Sequence, residues 1–465
     1  MTTLFGILGV GANGLASSSF ALNVTSQNAS NIATEGYSRR SAVIEPIGPP
    51  PAGGGGSRAN GALRVIDPFL ERRLLGARSA MSEAAARTRT LGVLDSVFAE
   101  GPGGLGQALD AFESAIDELA ARPNEPGARA VVLARAEGLA QSFQDAAASL
   151  AEARTDANDR IEAEVGEVNE RLHRIADLGV QISQAEISGH EASDLRDRRD
   201  QLVREVADRV PVTVVEEPSG QISLLLAGSQ ALVSPDGRVS ELSAVPDAAT
   251  GDVRIAKMAA GASVDVTSLL TSGSISGTIG ARDGALATAT ASLDQLAFDI
   301  ATAYNAVHSA GVGLDGASGR NLFEPIASVT GAASRLAVST DVAGRPDLLA
   351  AATSAASLPG DNRGALALKA LADSATVAGG GTMSAGAALS ALIGQVGGAL
   401  GSARAMEDAA SARADQVAQL RESVSGVSAD EEMVAMMRLQ RAYQASLKVV
   451  EVADEMLGEL LQLKR

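Results

Sequence analysis

The sequence predicts a mainly α-helical protein with a small inserted β domain, an α+β chain whose two halves together build a long helical bundle or rod. Hydrophobic residues make up 46% of the 465 residues but aromatic residues only 2%, so the cores must consist mainly of Ala, Leu, Val and Ile. Such side chains suit closely packed helices better than aromatic-lined ligand pockets. Apolar residues at helical spacing also fill both ends and the middle of the chain, around one stretch of strand-like sequence.

The N-terminal end, residues 1–34, carries no charge and predicts a coiled-coil-like helix. Large and small residues form a narrow heptad stripe along it: Leu4, Leu8, Gly11, Leu15, Ser18, Leu22, Thr25, Ala29 and Ile32. Gly, Ser, Thr and Asn are weak helix formers, and ordering each residue costs about 1–2 kcal/mol of backbone entropy. We therefore expect this helix to be disordered in the monomer until a partner helix covers the stripe.

The C-terminal end predicts a second amphipathic, coiled-coil-like helix. Ser428 and Glu431 have the spacing of a capping box, and Lys464 and Arg465 place positive charge at the far end. Apolar residues follow at spacings of three, four and seven along one face: Met436, Leu439, Tyr443, Leu447, Val450, Leu457 and Leu460. One such stripe is typical of an ordinary core-facing helix, whereas two at opposite ends of a long chain favour helices that take part in an assembly.

The region between the ends predicts a Pro- and Gly-rich linker over residues 46–56, followed by a helical body with a β-rich interruption. The helical patterns cover residues 68–100, 105–121, 127–189, 195–209, 282–310 and 383–423. Strand-like runs separated by Gly, Pro and Asp turns occur at residues 212–215, 221–226 and 253–255.

These patterns predict three domains. The terminal helical assembly domain comprises residues 1–45 and 424–465. The helical rod domain comprises residues 60–210 and 276–423, and the β-rich insert comprises residues 211–275.

The composition excludes several classes of function. A formal net charge of −18 argues against binding to nucleic acid or to an anionic membrane surface, since both demand basic residues. The chain has no Cys, and His173, His190 and His308 lie far apart in sequence, so we expect no metal site. No Ser-His-Asp or phosphate-loop pattern occurs either. We therefore predict no catalytic or cofactor-binding residue, no cofactor and no enzymatic activity.

The sharpest enzyme-like motif is G-x-G-x-x-G at residues 9–14, with Glu35 near the distance of a ribose-binding acid. It leaves an NAD-binding oxidoreductase as an alternative from a different class. Dinucleotide binding needs a strand before the glycines and a second strand that delivers the acid. Here the heptad stripe runs straight through the glycines and residues 23–35 are mostly polar, so we favour a helix.

Three further features favour structural interpretations. Asp315 and Gly316 resemble the start of a calcium loop, but the paired ligands and the terminal Glu are missing, so we expect a turn. His308 lies at a predicted helix end, where a cation complements the helix dipole. The charges over residues 194–204 alternate in sign and predict a solvated helix face with i,i+4 ion pairs.

Several segments resemble the bacterial flagellar axial proteins, the rod, hook and hook-associated family. Residues 26–39, which end in Gly-Tyr-Ser-Arg, are similar to the N-terminal signature of that family. Residues 425–433 and 440–446 are similar to its C-terminal ending. Residues 195–203 and 273–283 resemble two internal elements. The resemblance runs in order along nearly the whole chain and is most specific at the ends.

The resemblance implies a structural subunit of the junction ring between hook and filament. It also implies export through the flagellar type III apparatus without a cleaved signal peptide, and an extracellular location in the flagellum. Implied partners are other copies of the chain in a ring, the hook protein, a second junction protein (hook-associated protein 3) and a cytoplasmic export chaperone bound to the C-terminal helix. The implied assembly interface comprises Leu4, Leu8, Leu15, Leu22, Ile32, Tyr37, Met436, Leu439, Tyr443, Leu447, Val450, Leu457 and Leu460.

Two departures from the family pattern limit these expectations. Glu35 stands where the family usually has proline, so we expect a looser turn there. The chain also lacks the large outer domain that many relatives insert after residues 315–335, so a surface role carried by that domain is not carried over to this chain. Another axial component, such as hook-associated protein 3 or a flagellin-like subunit, stays open as an alternative.

Overall fold

Long helices and three small antiparallel sheets make up the structure, a computed structural model that describes residues 2–34, 36–47, 55–99, 101, 103–189, 191–217, 220–259, 262–375 and 377–462. The helices are α1 (Thr2–Ser30), α2 (Pro68–Val97), α3 (Leu105–Ala121), α4 (Pro126–Ala185), α5 (Ser193–Ala207), α6 (Ser274–Ala281), α7 (Ala287–Ala310), α8 (Ala332–Arg335), α9 (Arg363–Lys369), α10 (Ala385–Ser425) and α11 (Ala429–Gln462). The strands are β1 (Arg40–Ile47), β2 (Gly56–Arg64), β3 (Val212–Glu216), β4 (Ile222–Leu226), β5 (Gln230–Val233), β6 (Leu242–Pro246), β7 (Val253–Ala259) and β8 (Ala262–Asp265). This content confirms the predicted mainly α class with a small β component.

Several residues used in the sequence predictions lie outside the described residues. They are Glu35, His190, Lys464, Arg465 and residues 48–54 of the predicted linker.

The chain forms two compact units. The first comprises Met1–Glu83, Ala163–Ser274 and Ala409–Arg465, and the second comprises Ala84–Glu162 and Ile275–Asp408. Both chain ends and the strands therefore belong to the first unit. The three-domain division expected from the sequence stays a prediction.

The second unit has a core of Leu, Ala, Val and Ile around one aromatic cluster. The rings of Phe112, Tyr304 and Phe323 are fully buried, with centroids 5.1 to 6.4 Å apart. The Phe112–Phe323 and Tyr304–Phe323 pairs meet edge to face, which aromatic quadrupoles favour. The cluster joins α3 and α7 to the loop that follows α7.

His308 lies in the last turn of α7, as predicted, but it is buried and does not act as a cation there. Its Nδ1 is 2.7 Å from the carbonyl oxygen of Arg320, and its Nε2 accepts a hydrogen bond from the Ala350 amide at 2.9 Å. Burial lowers the pKa of His308. The neutral ring thus joins two loops, and the prediction of a dipole-complementing cation is wrong because both ring nitrogens are used inside the core.

The first unit carries all three sheets, in the orders β1-β2, β3-β4-β5 and β6-β7-β8. The strand-like runs of the sequence correspond to β3, β4 and β7. The remaining strands of the two three-stranded sheets, β5, β6 and β8, are four or five residues long. Each contains at most two Val, Ile or Leu residues, fewer than β3 and β4, so their strand signal is weak.

Strands β1 and β2 pair as an antiparallel hairpin that flanks the place where the sequence predicted a linker. Pro46 pairs with Ser57 and Ile47 with Gly56, so the prediction of a linker is wrong at both of its ends. Proline is tolerated here because each strand of a two-stranded sheet is an edge, where a missing N–H need not break a ladder. The side chain of Ser17 in α1 donates to the Ser57 carbonyl at 2.9 Å and holds the hairpin against α1.

The helical region before residue 310 begins earlier than the sequence indicated. The segment predicted as a helix from residue 282 starts at Ser274 as α6 and passes through a π-helical turn, Arg282–Leu286, into α7. Gly277 and Gly280 within Ser274–Ala281 are weak helix formers, which is why the sequence pattern missed these first turns.

Candidate assembly surface

The two ends of the chain meet as an antiparallel pair of helices in the first unit. A Cβ atom placed on Gly11 of α1 would lie 2.8 Å from Val450 Cγ2 of α11, and one on Gly14 would lie 2.7 Å from Ser446 Oγ. At the other end of α1, Asn28 Nδ2 is 3.2 Å from a carboxylate oxygen of Glu432. The partner that covers the α1 stripe is therefore the C-terminal helix of the same chain.

Small residues allow α1 to approach α11 closely. The buried residues of α1 are Gly11, Ser17, Ser18, Ala21, Val24, Thr25 and Asn28. The facing side of α11 alternates spacings of four and three, as in a coiled coil. The half-buried and buried residues at these spacings are Glu432, Met436, Leu439, Tyr443, Ser446, Val450, Ala453 and Leu457.

The predicted interface residues fall into three groups. Tyr37 is buried. The half-buried group comprises Leu4, Leu8, Leu15, Leu22, Met436, Leu439, Tyr443, Val450 and Leu457, while Ile32, Leu447 and Leu460 are exposed. Leu447 thus leaves the face assigned to it, because the heptad places Ser446 on the inner side. Leu460 continues the heptad three residues after Leu457 and is nevertheless exposed. Ile32 follows the end of α1 at Ser30. The role of these residues in assembly stays a prediction.

A polar clasp, consisting of Asn28, Tyr37, Arg39, Arg40 and Glu432, joins the two helices where α1 ends and α11 begins. Asn28 Oδ1 accepts from Tyr37 Oη at 2.9 Å and from the Arg40 amide at 3.0 Å. Its Nδ2 donates to the Arg40 carbonyl at 2.9 Å. Arg39 Nε donates to Glu432 Oε1 at 2.7 Å, and the Glu432 side chain is only 2% exposed.

The family-like segments of the sequence converge at this clasp. Tyr37 and Arg39 come from the N-terminal signature, and Glu432 comes from the C-terminal ending. Gly36 has φ +81°, which L side chains rarely adopt, and a Cβ atom there would lie in tight contact, 3.1 Å from Gln201 Oε1 of α5. The guanidinium of Arg40 lies over the Tyr37 ring at 5.0 Å from its centroid. Burial raises the pKa of Tyr37, so its hydroxyl is protonated and can donate at neutral pH.

The charged face of α5 is an internal contact rather than a solvated face. Arg40 pairs with Asp194 and lies 3.5 Å from Asp197. Arg64 of the hairpin reaches Asp197 at 3.0 Å and Asp200 at 2.7 Å. Although burial opposes its ionisation, Arg199 and Arg64 hold the pKa of Asp200 below its usual value. The sequence prediction of a solvated face with i,i+4 pairs is wrong because these carboxylates turn towards the hairpin.

A composite apolar surface lies at the other end of the helix pair and comprises Phe5, Ile7 and Val10 of α1 with Val449, Val452 and Met456 of α11. All six side chains are at least 40% exposed. They lie at matching levels of the pair, because Gly11 faces Val449 and Val450 and the helices run antiparallel. Phe5 lies on the other side of α1 from Ile7 and Val10, since at 3.6 residues per turn these residues lie about 160° and 140° around the helix from it. Further exposed apolar residues of α11 include Met433, Met437 and Leu447. Several large apolar side chains exposed at one end of a helix pair mark a candidate interaction site.

The sequence predictions gave no role to Asn28, Ser446, Ala453 or the composite surface. A strict count of fours and threes from Glu432 would have found Ser446 and Ala453, since the heptad repeats without interruption to Leu457. Asn28 lies within the N-terminal family signature, residues 26–39, but the periodicity did not single it out from the other polar residues over 23–31. Its place in the clasp depends on the turn of the chain at Gly36.

The other candidate sites take structural roles. The residues of the G-x-G-x-x-G motif lie inside α1, and Gly11 and Gly14 face α11, so the strand–turn–helix that dinucleotide binding requires is absent from this part of the described chain. Asp315 accepts from Arg320 and from the Ala317 amide within a turn. Among the described residues, no three His, Asp or Glu side chains group as a metal would require.

Two stretches, Leu4–Ser30 and Ala385–Gln462, reach the length and mean hydropathy of a membrane-spanning helix. Core helices of soluble proteins pass the same test, so these properties decide nothing by themselves. The absence of membrane binding stays a prediction.

Two protein families match segments of the chain. Residues 91–323 match the flagellar hook-associated protein FlgK helical domain, and residues 419–463 match the flagellar basal body rod FlgEFG protein C-terminal domain. The first match covers half of the chain. The chain belongs to the FlgK family of flagellar hook-associated proteins.

Individual relatives agree with the FlgK assignment. Flagellar hook-associated protein 1 of Salmonella typhimurium is 31% identical over 320 residues, which cover 67% of this chain but only 58% of that protein. The protein of the same name from Bacillus subtilis is 27% identical over 504 aligned positions, with 99% of this chain and 98% of that protein covered. The flagellar hook junction protein FlgK from Burkholderia pseudomallei has the same fold, with a TM-score of 0.68 at 17% identity over 76% of this chain and all of that one.

Proposed function

We propose that the chain is a structural subunit of the bacterial flagellum that forms the junction ring between hook and filament and catalyses no reaction. Membership of the FlgK family supports this function over another axial component or an oxidoreductase. The observation that carries the proposal is the composite apolar surface, which one copy leaves uncovered at the paired ends of its chain.

Burial of this surface between copies would supply the driving force for assembly. Removing apolar side chains from water contributes about 25 cal/mol per Å². The N-terminal helix is also well suited to subunit contact because residues 1–34 carry no charge in a chain of net charge −18. Contacts through an uncharged segment avoid the mutual repulsion of acidic subunits.

The finer expectations belong to the same proposal. The chain would leave the cell through the flagellar type III apparatus without cleavage of a signal peptide and act outside the cell. Its partners would be further copies of itself, the hook protein, hook-associated protein 3 and, before export, a chaperone that covers the exposed apolar residues of α11. The assembly domain would comprise residues 1–45 and 424–465, attached to a helical rod and a β-rich insert.

The proposal is tested by replacing two residues of the composite surface. The double variant Phe5→Ser with Met456→Ser should fold with unchanged helix content, because both side chains are exposed. It should assemble only at concentrations raised about tenfold or more, since it loses two large apolar contacts. Assembly is measured by light scattering of the purified chain, and function by motility of cells that lack the natural copy.

Val131→Ser with Leu366→Ser is the matched control, because both side chains are comparably exposed but belong to the second unit. Equal assembly and motility of the two double variants would contradict the proposal.

A further inference from the structure

The packed face of α1 does not by itself select one alignment with α11. Gly11, Ser18 and Thr25 recur every seven residues and present small side chains throughout. The side of α11 that faces α1 also repeats every seven residues, from Glu432 to Leu457. A shift of α11 by one heptad, about 10 Å of helix, would again place small residues of α1 against half-buried apolar residues of α11.

The connection into α11 limits such a shift but does not by itself fix the alignment. Three residues, 426–428, separate the end of α10 from the start of α11. Fully extended, they reach about 10 Å, and alignments within that reach are not distinguished by the connection. Some other feature must distinguish the observed alignment.

The polar clasp supplies a contact that exists in one alignment alone. The Glu432 carboxylate, nearly inaccessible to water, receives Arg39 Nε at 2.7 Å and Asn28 Nδ2 at 3.2 Å. The Arg39 amide also donates to the carbonyl of Ser425, the last residue of α10, at 2.9 Å. A heptad shift would carry Glu432 away from both side-chain donors and leave a buried carboxylate unpaired, which is costly. A single buried polar residue can fix the register of a helix pair at some cost in stability.

We propose that the polar clasp sets the register of the α1–α11 pair and thereby the form of the composite apolar surface at its far end. At 1.5 Å per residue, about 35 Å of helix separates Asn28 from Phe5. A heptad shift at the clasp would place Phe5, Ile7 and Val10 beside a different turn of α11 and break up the surface. Glu432 and Asn28 are thus positioning residues. The inference rests on the proposed function for what the surface does, whereas the register is a property of one chain.

The absence of Cys from the sequence allows the register to be read by disulfide formation. A Cβ atom placed on Gly14 would lie 3.4 Å from Ser446 Cβ, near the separation of about 3.8 Å found in disulfides. Gly14→Cys with Ser446→Cys therefore reports the observed register. Gly14→Cys with Ala453→Cys, or with Leu439→Cys, reports a shift of one heptad in either direction.

The cysteine pairs are combined with Glu432→Ala in the full chain under mild oxidation. We expect the native cross-link to fall about fivefold or more and a shifted cross-link to appear, while helix content by circular dichroism is retained. Glu432→Gln, which keeps an acceptor for Arg39, should restore most of the native cross-link. Glu431→Ala is the matched control, since Glu431 is exposed and lies 3.6 Å from Arg39; it should leave the native cross-link unchanged.

Two results would overturn the inference. One is a full native cross-link with no shifted product in Glu432→Ala, which would show that packing and the connection suffice. The other is loss of helix together with every cross-link, which would show that the clasp keeps the pair folded rather than in register. Cross-linking is measured within single chains, so the native cross-link can form in a chain whose copies do not assemble. Lack of assembly therefore contradicts the proposed function alone, and an unchanged cross-link in Glu432→Ala contradicts the register proposal alone.

Discussion

At the scale of single residues, buried polar groups in this chain differ in whether they are satisfied. Asn28 and His308 use their side-chain polar atoms in hydrogen bonds, and both are 1% exposed. Glu113 of α3 is different, because its Oε1 is buried without a hydrogen-bond partner, as is Tyr304 Oη. Such atoms are costly, and a charge on Glu113 would raise that cost.

Burial raises the pKa of Glu113 to about 7, and the neighbouring charges of Asp110, Asp373 and Asp117 act in the same direction. An unfolded Glu titrates near 4.5. Between these two values the folded chain holds a proton that the unfolded chain has released. The contribution of Glu113 to stability is therefore full below the lower value and is lost as the pH rises through about 7.

Replacing Glu113 with Gln removes this titration and keeps the shape of the side chain. We expect Glu113→Gln to match the parent near pH 4.5 and to gain about 1 kcal/mol near pH 8, a modest figure because the group is only half-buried. Urea unfolding at both pH values measures the difference. The same shift in unfolding free energy at both would show that ionisation of Glu113 is not its cause.

At the scale of secondary-structure elements, the sequence indicated long regular helices best. The spacing of apolar residues and the flanking prolines place α3 at Leu105–Ala121, in agreement with the prediction. Ser428 begins α11 as expected, with its Oγ 3.5 Å from the Glu431 amide. The hairpin of β1 and β2 was missed, because Pro46 and Gly56 are common in linkers and their pairing depends on contact with α1. Local patterns carry no information on such contacts.

The two glycine environments of α1 allow the close helix contact to be tested. Gly9 has open space around its Cβ position, whereas a Cβ on Gly11 would lie 2.8 Å from Val450 Cγ2. Ala is favoured over Gly in a helix by about 0.5–1 kcal/mol. Gly9→Ala should therefore stabilise the helix pair by about that amount. Gly11→Ala should show no such stabilisation, or should destabilise the pair, because its Cβ would force the helices apart.

Thermal unfolding followed by circular dichroism, with proteolysis of the chain ends as a second readout, measures both variants. Gly9→Ala serves as the control for helix propensity. Equal stabilisation by both substitutions would show that α1 and α11 do not approach each other closely at Gly11.

At the scale of the whole molecule, the sequence indicated that the two chain ends act together but not how they meet. Leu8, Leu15 and Leu22 were expected to form the main contact stripe, yet they are only half-buried, and Gly11, Ala21 and Asn28 lie deeper. Helix contact depends on how closely two backbones approach, and small residues decide that distance. Counting hydrophobic residues alone therefore selects the large Leu residues beside the contact and overlooks the small residues within it.

Charge is distributed unevenly over the molecule, and this affects how copies associate. The chain carries a net charge of −18, whereas residues 1–34 carry none. Copies that meet through their terminal helices bury apolar residues, but their acidic bodies repel each other at long range. The Debye length falls from about 30 Å at 0.01 M salt to about 8 Å at 0.15 M, so added salt should remove most of this repulsion.

We therefore expect association of the purified chain to strengthen as salt rises over that range, with little change in the helix content of the single chain. Light scattering at a series of salt concentrations measures the effect. The Phe5→Ser, Met456→Ser variant should show no such increase, because it lacks the apolar contacts that hold copies together once salt has screened their repulsion. Association that weakens with salt would mean that ion pairs between copies, rather than the composite apolar surface, hold the assembly together, since such pairs are themselves screened.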